Sequence, residues 1–187
     1  MSDQVDPPLN VGVIIGSTRE GRVGAGVARW FTAYARQRAD VRPALIDLLD
    51  FTFPTRYPGE TTPGIRAFAA TIGRIDAFVV VTPEYNRSFP ASLKQAIDYG
   101  YDEWRAKPVA FVSYGCGSVG LYAVEQLRTV FTELHVVTMR DGVGFNLMAG
   151  EPFETDRSAA AAAAMLDQLT WWGHALRDAR STRPYVA

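Results

Sequence analysis

Ala77-Phe78-Val79-Val80-Val81, bounded by Asp76 and Pro83, is the stretch on which the fold turns. It is a continuous apolar run rich in β-branched residues, which predicts a strand buried on both faces. Such strands belong to parallel sheets covered by helices. Val11-Gly12-Val13-Ile14-Ile15 has the same character upstream, and residues 108–113 repeat it downstream. A second strand is expected over residues 42–48, containing Ala44, Leu45 and Ile46, and a weak fifth over 136–139.

Helix-period segments fill the intervals. One starts at about Arg22 and places Val27, Phe31, Tyr34 and Ala35 at helical spacing; another, over 64–73, carries Ile65, Phe68, Ala69 and Ile72. A third has Pro90 in its first turn, Leu93, Ile97 and Tyr101 on one stripe, and Gly100 near its end. Ser118 is the expected cap of a fourth, with Val124, Leu127 and Phe131 facing inward. The last runs from 156 to about 180. Its six opening alanines rely on propensity more than burial, and Met165, Leu169, Trp172 and Leu176 then form a packing face. Five strands alternating with five helices predict an α/β, flavodoxin-like doubly wound sheet of five parallel strands, order 2-1-3-4-5, with helices on both faces. The whole chain, 1–187, is expected to form a single domain with a flexible tail over 1–9. The connections 51–62 and 141–155 are longer than the fold requires, which marks them as functional or interfacial.

Composition removes several classes. The 187 residues are 48% apolar and 21% charged with a net charge of -1, which argues against a nucleic-acid binder carrying a basic face. A single cysteine, Cys116, excludes an intrachain disulfide and a multi-cysteine metal site, and His135 and His174 form no paired ligand motif. No run of about 18 apolar residues suggests a membrane span. The start MSDQVDPPLN lacks the features of a secretory signal, so a reducing cytoplasm is the expected setting.

Ligands of open α/β sheets bind beyond the carboxyl ends of the strands, and three unusual segments fall there. After strand one, Gly16-Ser17-Thr18-Arg19-Glu20-Gly21-Arg22-Val23-Gly24 feeds a helix N-terminus with two hydroxyls and two arginines, a combination suited to phosphate. It is neither a Walker loop nor a dinucleotide fingerprint. After strand three, Thr82-Pro83-Glu84-Tyr85-Asn86-Arg87-Ser88 mixes polar and aromatic groups suited to a planar heterocycle; Ser88 is expected to help cap the next helix. Glu84 could act as an acid or base. After strand four, Ser113-Tyr114-Gly115-Cys116-Gly117-Ser118-Val119-Gly120 lets a ligand approach the backbone and receive N–H groups. Cys116 is read as a small residue filling a tight loop rather than as a nucleophile.

Gly16-Ser17-Thr18-Arg19, Pro83-Glu84-Tyr85-Asn86 with Leu93-Lys94-Gln95-Ala96-Ile97-Asp98, and Ser113-Tyr114-Gly115 together resemble the NADPH-dependent FMN reductase family, which includes quinone, azo-dye and chromate reductases. The resemblance implies an FMN-binding NAD(P)H oxidoreductase that passes a hydride through the flavin to quinones, free flavin or similar acceptors. It implies FMN phosphate held by Ser17, Arg19 and the helix start at Arg22, Val23 and Gly24. Pro83, Glu84, Tyr85 and Asn86 would line the ribityl chain and ring edge. Ser113, Tyr114, Gly115 and Cys116 would meet the pyrimidine side, with no catalytic side chain required. Cys116 and Val119 stand where the family pattern usually has glycines. NADPH or NADH would donate the hydride, and related proteins form homodimers or homotetramers. The contrasting class is a flavodoxin-type electron carrier, which usually has a phosphate loop without arginines and a markedly acidic surface.

Overall fold

A computed structural model of the chain describes residues 6–186. The elements are β1 (Leu9–Ile15), α1 (Gly24–Ala35), β2 (Val41–Asp47), α2 (Pro63–Gly73), β3 (Ala77–Pro83), α3 (Ala91–Tyr99), β4 (Pro108–Gly115), α4 (Leu121–Glu133), β5 (Val137–Thr138), β6 (Val143–Asn146) and α5 (Asp156–Thr182). All strand pairings are parallel, in the order β2-β1-β3-β4-β5, which is the expected doubly wound topology. Of the tail expected over 1–9, residues 1–5 lie outside the described residues, and Leu9 already opens β1 in full burial.

β3 is buried along its whole length, as its unbroken apolar run demands. Alternate side chains enter two separate cores. On one face Val11, Val13, Val79, Val81, Ala110 and Val112 pack against α1 and α5. On the other, Ile14, Phe78, Val80, Val109 and Phe111 pack against α2, α3 and α4. The second core centres on Trp104, which is fully buried against Phe68, Phe78 and Phe131 and donates its indole N–H to the carbonyl of Ile97 at 3.0 Å.

The fifth strand departs from expectation. Only Val137 and Thr138 pair with the start of β4, after which the chain leaves the ladder and returns as β6 beside Val112 to Gly115. Side chains satisfy the backbone in the gap. Arg128 donates to the carbonyls of Met139 and Arg140, and Gln168 accepts the Asp141 N–H. The expected connection over 141–155 therefore contains a strand. Tyr101 is not on α3, because Gly100 ends that helix, and its ring lies half-exposed under Arg105. The start of α5 has more than propensity behind it. Thr155 and Ser158 form a reciprocal capping box, and Ala162 is fully buried. Trp172 is exposed and does not join the packing face of Met165 and Leu169.

At the opposite end of the sheet from the three loops, Lys107 is buried with its ammonium donating to the Ile72 and Gly73 carbonyls at the end of α2. Burial lowers its pKa to about 8, with the Arg180 charge acting in the same direction against Asp76 and Glu103. Between that value and the ordinary 10.5, the unfolded chain binds more protons than the folded one, so this group makes stability rise with pH across that window. At 1.4 kcal/mol per unit the gain is on the order of 1–3 kcal/mol. Urea denaturation at pH 7 to 10 should show that rise in the wild type, and Lys107→Met should remove it. An unchanged pH slope in the variant would assign the effect elsewhere.

Candidate functional site

The loops after β1, β3 and β4 converge at one edge of the sheet, where the parallel strands all end. In the first loop Ser17 is buried, and its hydroxyl lies 3.4 Å from that of Tyr85. Among the described residues, the amide N–H groups of Ser17, Thr18, Glu20, Gly21 and Val23 have no hydrogen-bond acceptor. They form a concentrated set of donors at the start of α1, where the helix dipole also favours an anion. Arg19 is exposed and makes no ion pair among the described residues.

Arg22 is placed differently from Arg19. Its guanidinium grips Asp47 at the end of β2 through both nitrogens, one contact being 2.7 Å, and donates to the Ser17 carbonyl at 2.6 Å. Burial alone would raise the Asp47 pKa, but hydrogen bonds from Arg22 and the Leu49 amide, with the Arg22 charge, hold it below the usual carboxylate range. This clasp fixes the loop's path across the ends of two strands. Asp47 was not singled out from the sequence; its only cue there was a carboxylate at the end of an expected strand.

In the second loop, Asn86 and Arg87 both have positive φ, 50° and 64°, and form the centre of a tight turn closed by reciprocal backbone hydrogen bonds between Tyr85 and Ser88. Ser88 does not cap α3. Its hydroxyl bonds Gln126 on α4 at 2.6 Å, because the turn points it there, and Pro90 occupies the cap position. Gln126 also donates to the Arg87 carbonyl, and the Arg87 guanidinium lies 4.3 Å over the Tyr122 ring. The amides of Asn86 and Arg87 and the Asn86 side chain have no partner among the described residues.

Glu84 joins the second loop to the third. Its carboxylate accepts the Ser118 hydroxyl at 2.8 Å and the Tyr122 amide at 3.1 Å, in the first turn of α4. Ser118 is therefore not the cap of α4. Gly120 sits there with φ of 86°, and Glu84 satisfies a helix N–H from a distant part of the chain. The amides of Cys116, Gly117 and Ser118 have no acceptor among the described residues. Cys116 is exposed rather than filling the loop.

Tyr114 closes the arrangement from below. Its ring descends from β4 into the core beneath α1, and a Cβ on Gly24 would lie 2.5 Å from its hydroxyl. Burial pushes the phenol's pKa up to about 12, with Tyr85 acting in the same direction, so it is a protonated donor at neutral pH. The edge thus offers free amides for a phosphate, free amides beyond β4 for a ring, and a buried hydroxyl without a well-aligned partner. That donor set fits FMN, an anion joined to a planar acceptor-rich heterocycle.

The comparisons agree with this fit. A family model described as NADPH-dependent FMN reductase matches residues 9–148, and the chain belongs to that family. It is 35% identical over 127 residues to an NAD(P)H-dependent FMN reductase of Schizosaccharomyces pombe, covering 63% of each chain. It is 31% identical over 178 residues to a quinone reductase of Pseudomonas putida, covering 87% of this chain and 94% of that one. The chain thus spans less than two thirds of the first relative and nearly all of the second. The flavoenzyme NAD(P)H:(acceptor) oxidoreductase FerB of Paracoccus denitrificans shares the fold, with a TM-score of 0.72 and 22% identity over 89% of this chain and 98% of that one.

Substitutions at Asp47, Arg22 and Glu84 test the clasps. Asp47→Ala leaves the largely buried Arg22 unpaired, at a cost of about 2–4 kcal/mol, and should weaken FMN binding at least tenfold by flavin-fluorescence titration. Arg22→Lys, which keeps charge but loses the fork, should fall between the variant and wild type. Glu84→Gln keeps an acceptor for Ser118 and Tyr122, so turnover should stay within about threefold of wild type, whereas Glu84→Ala should lose flavin affinity. A collapse of kcat in Glu84→Gln with flavin still bound would make Glu84 an acid or base instead.

Proposed function

We propose that the chain is an FMN-dependent NAD(P)H oxidoreductase that reduces quinones and similar small acceptors. The observation that carries this reading is the pairing of two sets of open amides, after β1 and after β4, at one sheet edge. Ser17, the exposed Arg19 and the amides leading through Val23 to Gly24 hold the phosphate, while Arg22 shapes their loop. Pro83, Tyr85 and Asn86 border the ribityl chain and ring edge, with Glu84 bracing them. The amides of Cys116 and Gly117, just beyond Gly115, serve the pyrimidine side, and Ser113 supports that turn by donating to the Val119 carbonyl at 2.8 Å. Bound FMN supplies the two-electron chemistry between the nicotinamide and the acceptor.

The protein's part is to bind and orient. Donors fixed before reaction stabilise negative charge where it develops, without reorganising. The overall balance is NAD(P)H, a proton and a quinone giving NAD(P)+ and a hydroquinone. No side chain at this edge is required to carry that proton, and we assign no catalytic residue. The clasped Arg22 and the net charge of -1 differ from the carrier pattern of an arginine-free loop on an acidic surface.

No helix among the described residues is long and apolar enough to cross a membrane. We place the protein in the cytoplasm as a homodimer or homotetramer, with no nucleic-acid partner. The exposed Trp171 and Trp172 on α5 and Tyr57 in the 51–62 connection are apolar surface that a neighbour would cover. Purified protein loaded with FMN should bleach on anaerobic addition of NADPH and recover its yellow spectrum when a quinone follows. Initial rates should give parallel, ping-pong patterns. A flavin that stays oxidised until a separate reductase is added would instead make the chain an electron carrier.

A further inference from the structure

We propose that the Tyr114 hydroxyl is a phosphate-reading group, kept without a partner until the loop after β1 holds the phosphate of FMN. The proposal rests on the flavin reading above and identifies one atom by which the site prefers FMN to unphosphorylated riboflavin.

Tyr114, the last residue but one of β4, is in register with Pro83 of β3 and Phe145 of β6, so its backbone belongs to the ring side of the site. Its side chain does not. The ring runs through the core shared by β1, α1 and α5, and the hydroxyl emerges under Gly24, the first residue of α1. Ser17 and Tyr85 stand beside it as the other hydroxyls of the cluster. Tyr114 is 3% exposed, and its hydroxyl has no well-aligned hydrogen-bond partner among the described residues, the Ser17 hydroxyl and the Gly24 amide being the polar groups beside it.

A buried hydroxyl without a partner destabilises a fold, and phenylalanine would fill this volume without that cost. The hydroxyl therefore has no purpose in packing the core. Its position does supply one, because it lies beneath the loop whose open amides and helix terminus collect an anion. A hydrogen bond to a charged acceptor is stronger than one between neutral groups, so a phosphate in the loop gives this donor its best partner. Gly24 is what lets it approach, since any β-carbon there would occupy the hydroxyl's place.

Tyr114→Phe separates this role from a structural one, because the two predict opposite signs in the flavin-free protein. Flavin-free Tyr114→Phe should melt higher than flavin-free wild type, by about 1–4 °C. Its affinity for FMN should fall about tenfold or more, while its affinity for riboflavin stays within twofold of wild type. Inorganic phosphate alone should raise the melting temperature of wild type more than that of the variant. A lower melting temperature in the variant, an unchanged FMN affinity, or an equal loss for FMN and riboflavin would each overturn the proposal. If wild type itself fails to bind FMN, the flavin reading falls and this proposal falls with it.

Discussion

Burial of β3 on both faces is the constraint from which the rest follows. A strand sealed by helices above and below carries few polar side chains; on β3 the exception is Thr82 near its end, whose hydroxyl donates to the Pro83 carbonyl at 2.9 Å, and β1 and β4 are apolar over most of their lengths. All three run in one direction, so the chain must place its polar, ligand-facing residues where the strands stop. The site is the edge at which Gly16, Glu84 and Cys116 follow strands of similar length in a common register. Parallel pairing thus brings together three segments that are each separated by dozens of residues.

Once assembled, the edge divides its polar groups into two kinds. Arg22 and Asp47, Glu84 with Ser118, and Ser88 with Gln126 satisfy one another and tie each loop to a neighbouring element. What stays open there among the described residues is mainly backbone N–H, together with Arg19, Asn86 and the buried Tyr114 hydroxyl. Clasped side chains hold geometry and leave the amides free as donors, a division that keeps those donors in place without charging the edge heavily. The same division explains why conspicuous acidic and basic residues of the motifs, Glu84 and Arg22, are braces.

Strand order, the single-sheet architecture and the convergence of three polar segments at one edge of the sheet were readable because they rest on local patterns, apolar runs and their spacing. The braces were not. Asp47 and Arg22 are 25 positions apart, and Ser88 and Gln126 are 38 apart. No periodicity links such pairs, so Ser88 and Ser118 were assigned to the nearest helix starts, as short polar residues usually are. Trp104 and Trp172 show the same limit for apolar groups. Four tryptophans look alike in composition, yet one centres a core and another stands in solvent. The break in the fifth strand has no local sequence signal, because Arg128 and Gln168, which satisfy its missing ladder, lie on other elements.

That break bears on the loop beyond β4. Val119 adopts φ of 50°, a left-handed conformation that costs a β-branched residue roughly 1–3 kcal/mol. Its amide and carbonyl are held by Cys116 and Ser113, at 2.8 Å each. On β6, a Cβ at Gly144 would come within 3.1 Å of the Val119 side chain, so glycine is what makes room for the valine. β6 can lie there only because the chain left the ladder after Thr138 and rejoined it beside the far end of β4. The interruption thus supplies a wall for the loop. A turn usually made pliable by glycines is here packed from one side, while the Cys116 and Gly117 amides remain open on the other.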